Sequence, residues 1–267
     1  MIDETLIEAR ALLRRAKETE WSAAQVNAYW DSRDGSHYGD DMASWIPDYS
    51  RAHELLLNTL SAFAKPDLRV LDLGAGNGRV AKMILDRMPG SHVTLVDLPN
   101  GMLRAAPDKL AEHNGRFKII AADMFDERSI FGNTKFDCVV SVFAICHARS
   151  VEVYQHLYRR IFRCLNSEGL FICYDHVLGD TQTFTEINVA GWHKFLLQTQ
   201  SDATAREGVV STYQEDRPLA MRQHLNLLVQ AGFDSADVLF KKDIFAIYAG
   251  VKMKSRNDFS PLGRVGD

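Results

Sequence analysis

Residues 70–80 read Val70-Leu71-Asp72-Leu73-Gly74-Ala75-Gly76-Asn77-Gly78-Arg79-Val80, and this stretch decides the fold. An apolar run of β-forming residues ends in three alternating glycines and continues into residues 80–85, whose apolar spacing is helical. The pattern predicts a buried strand, a tight turn and a helix. Glycine permits positive φ and lets backbone N–H groups come close to a ligand. Doubly wound sheets bind cofactors beyond the carboxyl end of such a strand, so we expect a cofactor at this turn.

The spacing of the glycines is more informative than their number. A dinucleotide-binding turn has the spacing G-x-G-x-x-G, whereas Gly74, Gly76 and Gly78 alternate strictly and Asp72 precedes them by two positions. This D-x-G-x-G-x-G pattern resembles motif I of the class I S-adenosylmethionine-dependent methyltransferases. The resemblance implies that the loop, with Ala75, wraps the methionine part of S-adenosylmethionine and that Asp72 stands near its amino group. A glycine-rich turn without a ligand is the alternative.

Length, charge and cysteine content set limits on the class of protein. The chain has 267 residues, a net charge of −4 and a sequence pI near 6.1. One series of strands and helices predicts a single α/β domain with additions, and the charge argues against nucleic acid as a partner. No CxxC pair occurs, and Ser141–His147 lacks the metal-binding carboxylates of catechol-type O-methyltransferases, so we expect no metal. Without a signal peptide or an apolar run of about 18 residues, we expect a cytoplasmic protein that does not contact membranes.

Two later strands are each predicted to end in an acid. Asp97 follows the glycine loop by about 20 residues, the distance at which a carboxylate meets ribose hydroxyls in nucleotide-binding units. Leu98 comes next, and Met102 lies in the helix whose first turn is expected to cover the ribose. The family resemblance implies that Asp123 bonds the adenine amino group and that the backbone of Met124 meets a ring nitrogen. An acid that ends a strand is also an ordinary turn residue.

The exit of the fourth predicted strand carries Phe143 and His147. In a doubly wound sheet this exit borders the cofactor, so Phe143 is a candidate for a cation–π contact with the sulfonium. A histidine with a pKa of about 6.5 can take a proton from an attacking group near neutral pH. The Ile145-Cys146-His147 run resembles the segment of small-molecule O-methyltransferases whose histidine is the catalytic base, although Ala148-Arg149 follows where they have Asp-Trp. General base, orientation of the acceptor and plain packing all remain open for His147.

Further candidates lie at the fifth strand and in the segments outside the sheet. Asp175 and His176 end the fifth predicted strand, so they are candidates for binding substrate, orienting a nucleophile or supporting His147. In the resembling family, insertions before motif I and after the fifth strand build the substrate pocket. Packing is the alternative for the large aromatic residues. The predicted substrate-binding residues are Tyr38, Tyr49, Trp192 and Arg206.

We therefore expect an α/β fold with a doubly wound, mostly parallel seven-stranded Rossmann-like sheet, an antiparallel C-terminal hairpin and a helical cap. The predicted function is in-line transfer of a methyl group from S-adenosylmethionine to an oxygen, nitrogen or carbon nucleophile of a small molecule, with a homodimer as one candidate assembly. Ile46-Pro47-Asp48-Tyr49 resembles the entry of a short family with a carboxymethyl-transferring tRNA-modifying enzyme, so tRNA-base modification is one alternative, and a non-catalytic cofactor-binding subunit is another. The predicted segments are a helical cap or lid (1–64), the cofactor-binding core (65–177), a substrate-cap insertion (178–215), the closing helix and hairpin (216–254) and a flexible tail (255–267).

Overall fold

The computed structural model describes residues 4–33, 35, 39, 41–126 and 134–254. The predicted tail and Tyr38 lie outside these residues. Within them, seven strands form one sheet in the order β3-β2-β1-β4-β5-β7-β6. The strands are β1 (Arg69–Leu73), β2 (His92–Asp97), β3 (Phe117–Ala121), β4 (Phe136–Val142), β5 (Leu165–His176), β6 (Ser235–Lys242) and β7 (Phe245–Lys252).

The direction of the strands confirms the predicted fold class. The first five strands pair in parallel, while β7 pairs antiparallel with both β5 and β6. The chain winds outward from β1 to β3 and then returns to the other side of β1 with β4. The carboxyl ends of β1 and β4 therefore form the switch point at which doubly wound sheets bind ligands.

Nine helices lie in the described part of the chain, and several begin or end at clear signals. Ser22 forms a capping box with Gln25, and Gly232 ends the last helix with a φ of 116°. The helices are α1 (Glu4–Glu18), α2 (Ala23–Asp31), α3 (Tyr49–Ala62), α4 (Arg79–Arg87), α5 (Gly101–Lys109), α6 (Val151–Cys164), α7 (Gln182–Thr199), α8 (Asp202–Glu215) and α9 (Met221–Ala231).

The sheet is covered on both faces, which explains its nearly continuous apolar strands. Val70 of β1 belongs to the apolar layer that contains Leu56 of α3 and Ile84 of α4. The next residue, Leu71, belongs to the opposite layer, which contains Tyr158 of α6 and Leu228 of α9. Neighbouring strand residues face opposite sides of the sheet, so the consecutive apolar side chains of β1 are buried in different layers.

Helices α1, α7 and α8 form an additional helical layer beside the sheet. Leu12 of α1, Leu196 of α7 and Val209 of α8 are all buried in one core cluster. The end of α8 delivers Glu215 and Asp216 to the carboxyl edge of the sheet, where Asp216 approaches His176 at the end of β5. No helix among the described residues has the length and apolar character needed to cross a membrane.

Candidate active site

The glycine loop after β1 allows two close approaches of the backbone. Gly74 has a φ of 71°, and a Cβ on it would lie 2.1 Å from the Cβ of Ala144. Gly74 therefore lets the loop after β1 pack against the loop after β4. Gly76 has a φ of 51°, and a Cβ there would meet only the Cε of Met102, at 3.5 Å. Gly76 thus keeps free a space that a ligand can enter.

Asp97 at the end of β2 fixes this loop. Its Oδ2 accepts a hydrogen bond from the backbone N–H of Gly76 at 2.6 Å, and its Oδ1 accepts one from Leu98 at 2.7 Å. Burial raises the pKa of Asp97, and these two hydrogen bonds oppose that rise. Each carboxylate oxygen has a second lone pair, so Asp97 can still accept hydrogen bonds from a pair of hydroxyl groups.

One cavity of about 330 Å³ brings most of the predicted cofactor residues together. Asp123 lies on its wall, where its Oδ1 accepts a hydrogen bond from the backbone N–H of Phe125 at 2.8 Å. A volume of this size falls at the lower end of the range for small-molecule sites. The predicted cofactor residues that line the cavity are Gly74, Ala75, Gly76, Asp97, Leu98, Met102, Asp123, Met124 and Phe143.

Asp72 and Gly78 belong to the motif but do not line the cavity. Asp72 is 1% exposed, and its Oδ2 has no hydrogen-bond partner among the described residues. Burial, together with the nearby charge of Asp97, raises the pKa of Asp72 to about 7. A buried carboxylate with an unsatisfied oxygen favours a cationic group nearby.

The loop after β4 forms the other end of the cavity. Phe143 has a φ of 52°, a left-handed conformation that is costly for a side chain of this size. Its ring packs 4.6 Å from Tyr174 and 5.3 Å from His176, centroid to centroid. The backbone N–H of Cys146 donates to Asp175 Oδ2 at 2.9 Å, which holds the short 3-10 turn that ends at His147. His147 consequently lines the cavity.

His147 lies between two carboxylates that sequence reasoning missed. Its Nδ1 is 3.0 Å from Asp216 Oδ1, and its Nε2 is 3.6 Å from Glu215 Oε1. The Asp216 contact has the distance of an ion pair but not the angle of a hydrogen bond, so its contribution is electrostatic. The other oxygen of Asp216 lies 2.6 Å from His176 Nδ1, and the indole N–H of Trp30 donates to Glu215. Asp216 therefore joins two histidines.

The charges in this cluster determine the protonation of His147. Burial lowers the pKa of His147, but Asp216, Glu215 and Asp175 outweigh burial and raise it to about 9. Burial would raise the pKa of Asp216, but the two histidines hold it well below its usual range. Burial and the charge of Asp216 raise the pKa of Glu215 to about 7. These carboxylates favour the imidazolium form of His147 at neutral pH, and that form has no free lone pair to accept a proton.

Asp175 and His176, predicted as catalytic candidates, support the cavity wall but do not line it. Asp175 is 1% exposed and accepts hydrogen bonds from the backbone N–H groups of Cys146 and His176. His176 contacts Asp216 rather than the cavity. Both residues thus lie behind His147, and of the roles predicted for them the support of His147 stays a prediction.

A metal ion is a second chemical possibility for this cluster. Ligand atoms of Cys146, His147 and Asp216 lie within 4.8 Å of one another, and so do those of Cys146, Asp175 and His176. Burial, together with the charges of Asp175 and Asp216, raises the pKa of the shared Cys146 thiol well above its usual range. The oxygens of Asp216 already face two histidines. We therefore assign the cluster to the positioning of His147.

The residues predicted to bind substrate fall in different parts of the molecule. Tyr49 lines the cavity, with the guanidinium of Arg79 5.4 Å from its ring centroid. Trp192 is buried, and its indole N–H donates to the carbonyl of Trp45 at 2.8 Å. Arg206 pairs with Glu8 and Asp202. The structure does not bring Trp192 or Arg206 to the cavity, because α7 and α8 pack on α1 rather than over the opening.

Arg149 is a further cavity residue that sequence reasoning did not select. It stands two positions after His147, where the sequence departs from the O-methyltransferase pattern, and that departure was the available signal. Glu215 and Asp216 carried no such signal, because they lie far along the chain at the end of α8. Trp30 likewise carried no signal in the sequence, because it lies in a short helix before the sheet.

Comparisons with known proteins agree with this architecture. Residues 70–169 match the family described as "Methyltransferase domain". The malonyl-(acyl-carrier protein) O-methyltransferase of Geobacter sulfurreducens is 28% identical over 235 residues, which make up 88% of this chain and 84% of that protein. The carboxy-S-adenosyl-L-methionine synthase of Campylobacter lari is 21% identical over 232 residues, 84% of this chain and 94% of that protein.

Solved structures share the fold at low sequence identity. The S-adenosylmethionine-dependent methyltransferase SibL, in its apo form, superposes with a TM-score of 0.60 at 18% identity and covers 94% of this chain and 70% of its own. Human N-acetylserotonin methyltransferase, in complex with S-adenosylmethionine, gives a TM-score of 0.58 at 17% identity over 92% of this chain and 67% of its own. At these identities the likeness establishes the fold.

Proposed function

We propose that this chain is a class I S-adenosylmethionine-dependent methyltransferase, and that it methylates a small molecule bound at the His147 end of the cavity. The match of residues 70–169 to a methyltransferase domain and the similarity to an O-methyltransferase support the family, the enzyme class and the cofactor predicted from the glycine loop. One observation carries the proposal for the acceptor: a single cavity joins the loop of Gly74 and Gly76, with Asp97 and Asp123, to His147.

The residues of the cavity fit the cofactor. The Gly74–Gly76 backbone leaves open space, and the carboxylates of Asp97 and Asp123 stand at the ends of neighbouring strands. We propose for these groups the roles predicted from the sequence, with the loop beside the methionine part, Asp97 at the ribose and Asp123 at the adenine. When bound, S-adenosylmethionine supplies an electrophilic methyl group on a sulfonium.

In the proposed reaction a nucleophilic atom of the acceptor attacks the methyl carbon in line with the carbon–sulfur bond. A bond forms between the acceptor atom and the carbon, and the carbon–sulfur bond breaks. Its electron pair stays on sulfur, which leaves as the neutral thioether of S-adenosylhomocysteine. Much of the acceleration then comes from holding the reacting groups in line.

We propose that His147 orients the acceptor as a hydrogen-bond donor. The notion of His147 as general base has less support, because Asp216 and Glu215 raise its pKa to about 9 and keep it protonated at neutral pH. A donor of this kind suits an acceptor that arrives already deprotonated. The O-methylating relative from Geobacter sulfurreducens makes an oxygen nucleophile the first choice.

A second candidate function is the formation or use of a carboxylated cofactor. The relatives named carboxy-S-adenosyl-L-methionine synthase align with most of this chain. The Ile46-Pro47-Asp48-Tyr49 segment brings Tyr49 to the cavity wall beside Arg79, a cation that suits an added carboxylate. The mass of the cofactor that copurifies with the protein distinguishes this candidate from ordinary methyl transfer.

The test is release of S-adenosylhomocysteine by the purified protein given S-adenosylmethionine and either the metabolite or the RNA fraction of a cell extract. We expect turnover with the metabolites. Turnover with RNA alone would instead establish the tRNA-modifying alternative. Cofactor binding without turnover in either fraction would favour a non-catalytic subunit.

Two expectations about the whole protein remain predictions. A homodimer is tested by light scattering of the purified protein. A cytoplasmic location is tested by fractionation of the source cells. The four cysteines, Cys138, Cys146, Cys164 and Cys173, are buried and unpaired, as expected for a reducing compartment.

A further inference from the structure

We propose that Arg149 and His147 form an anion subsite that binds a carboxylate group of the acceptor, and that Asp216 positions His147 for this purpose. This inference deepens the proposed function and rests on it. It names the chemical class of the acceptor, a small-molecule carboxylic acid in its ionised form.

Arg149 supplies the first half of the subsite. It lines the cavity, and one of its guanidinium N–H groups donates to the backbone carbonyl of Glu215 at 3.1 Å. No carboxylate of the described residues lies within 4 Å of the guanidinium, so the side chain has no ion-pair partner there. Arginine has five N–H donors in a planar fork that matches a carboxylate, and most of these donors remain available.

His147 supplies the second half. Charged groups approach it from several elements: Asp97 at the end of β2, Asp175 and His176 at the end of β5, and Glu215 and Asp216 after α8. Of these groups only Asp97 lines the cavity, whereas the other acids stand behind His147. The imidazolium is thus held by carboxylates on its protein side and presents positive charge on its cavity side.

The remaining charges on the cavity wall agree with this polarity. The acids that line it are Asp97 and Asp123, which occupy the cofactor end and accept hydrogen bonds from backbone N–H groups. Within the described residues the cations on the wall are Arg79, Arg149 and His147. A carboxylate at the Arg149 end meets two of these cations, Arg149 and His147. It also needs no base, because it arrives without its proton.

Calorimetry on the protein saturated with S-adenosylhomocysteine tests the subsite, with malonate as the probe and uncharged malonamide as its isostere. We expect malonate to bind the wild type and malonamide not to bind. In Arg149→Gln the affinity for malonate should fall at least about tenfold, because a charge-assisted pair is lost. Arg222→Gln is the matched control, since Arg222 is exposed on α9 and pairs with Asp180 away from the cavity. The inference is overturned if malonate binds equally to wild type and Arg149→Gln, or if malonate does not bind.

The positioning role of Asp216 has a readout of its own. In the wild type, malonate binding should persist as the pH rises until His147 loses its proton. Asp216→Asn removes the nearest carboxylate, so binding should be lost at a pH lower by one unit or more. Asp216→Glu should restore part of the wild-type profile. If Asp216→Asn loses malonate binding at the same pH as the wild type, the positioning role is contradicted. A merely structural defect would weaken binding at every pH alike and would leave that pH unchanged.

The outcomes separate this inference from the proposed function. If malonate binds through Arg149 but neither extract fraction gives turnover, the anion subsite stands and methyl transfer to a small molecule fails. If a metabolite is methylated at an equal rate by wild type and Arg149→Gln, the proposed function stands and the subsite fails. Transfer of a deuterated methyl group to a metabolite retained on an anion exchanger would support both.

Discussion

The two ends of the cavity are built in different ways. At the cofactor end the backbone makes the site: the glycine loop leaves open space, and the oxygens of Asp97 accept hydrogen bonds from Gly76 and Leu98. At the acceptor end side chains make it: Trp30, His147 and Glu215 come from separate elements and meet only in the folded chain. The cofactor end therefore depends mainly on local backbone geometry. The acceptor end depends on long-range packing and sets the charge of one histidine.

The largest effect is expected at the backbone-built end. Asp97→Ala should weaken the binding of S-adenosylhomocysteine at least about a hundredfold. The variant loses the two hydrogen bonds proposed between the ribose hydroxyls and the charged carboxylate, each worth about 1.5–3 kcal/mol. Calorimetry measures the affinity, and Asp108→Ala, an exposed acid of α5, is the matched control. Wild-type affinity in Asp97→Ala would contradict the assignment of this acid to the cofactor.

Two glycines of the same loop should separate stability from binding. Gly74→Ala places a Cβ 2.1 Å from the Cβ of Ala144 at a φ of 71°, so unfolding in urea should show a loss of about 2–4 kcal/mol. Gly76→Ala meets only Met102, and its loss of stability should be nearer 1 kcal/mol, while the methyl group enters the space for the cofactor. Equal losses of stability in the two variants would refute this division.

The charge of His147 should appear in the pH dependence of stability. The native pKa of about 9 exceeds the value of about 6.5 in the unfolded chain, so the native state binds more protons between these pH values. The free energy of unfolding should accordingly fall as the pH rises from 6.5 to 9, by a His147 contribution on the order of 1–3 kcal/mol. Urea unfolding should show a shallower fall in His147→Gln than in the wild type.

The exposed histidine of β2 provides the control for that experiment. His92→Gln should keep the wild-type slope, because this side chain lies on the surface away from the cluster. If His147→Gln and His92→Gln have the same slope, the carboxylates do not hold a proton on His147. The acceptor end would then lack the fixed charge that distinguishes it from the cofactor end.

The smallest effect is expected for Arg206. Its guanidinium pairs with Glu8 and Asp202 at the surface of α8, and such exposed pairs contribute about 0–1 kcal/mol. Because Arg206 also does not line the cavity, Arg206→Gln should leave the KM for the acceptor and the rate of turnover unchanged. A raised KM would restore the substrate role predicted for this residue from the sequence and would extend the acceptor end to α8.

The sequence predicted most of the residues that line the proposed cofactor end of the cavity, because their signals are local. Asp72 and the three glycines sit on one short turn, and the spacing from that loop to Asp97 is set by one helix and one strand. Near-continuous apolar runs are typical of parallel strands covered on both faces, so the doubly wound sheet and the carboxyl ends of its strands followed from the same pattern. Even there, the structure decided that Asp72 lies beneath the loop and not in the cavity.

By itself, then, the sequence determined the sheet, the glycine loop and the acids of the cofactor end, because consecutive residues and fixed spacings specify backbone geometry. Only the tertiary structure decided that Asp216 joins His147 to His176, and that Trp192 and Arg206 stay away from the cavity. No local pattern relates the end of α8 to the exit of β4. Their meeting depends on the packing of α1, α7 and α8, and the protonation of His147 follows from that packing.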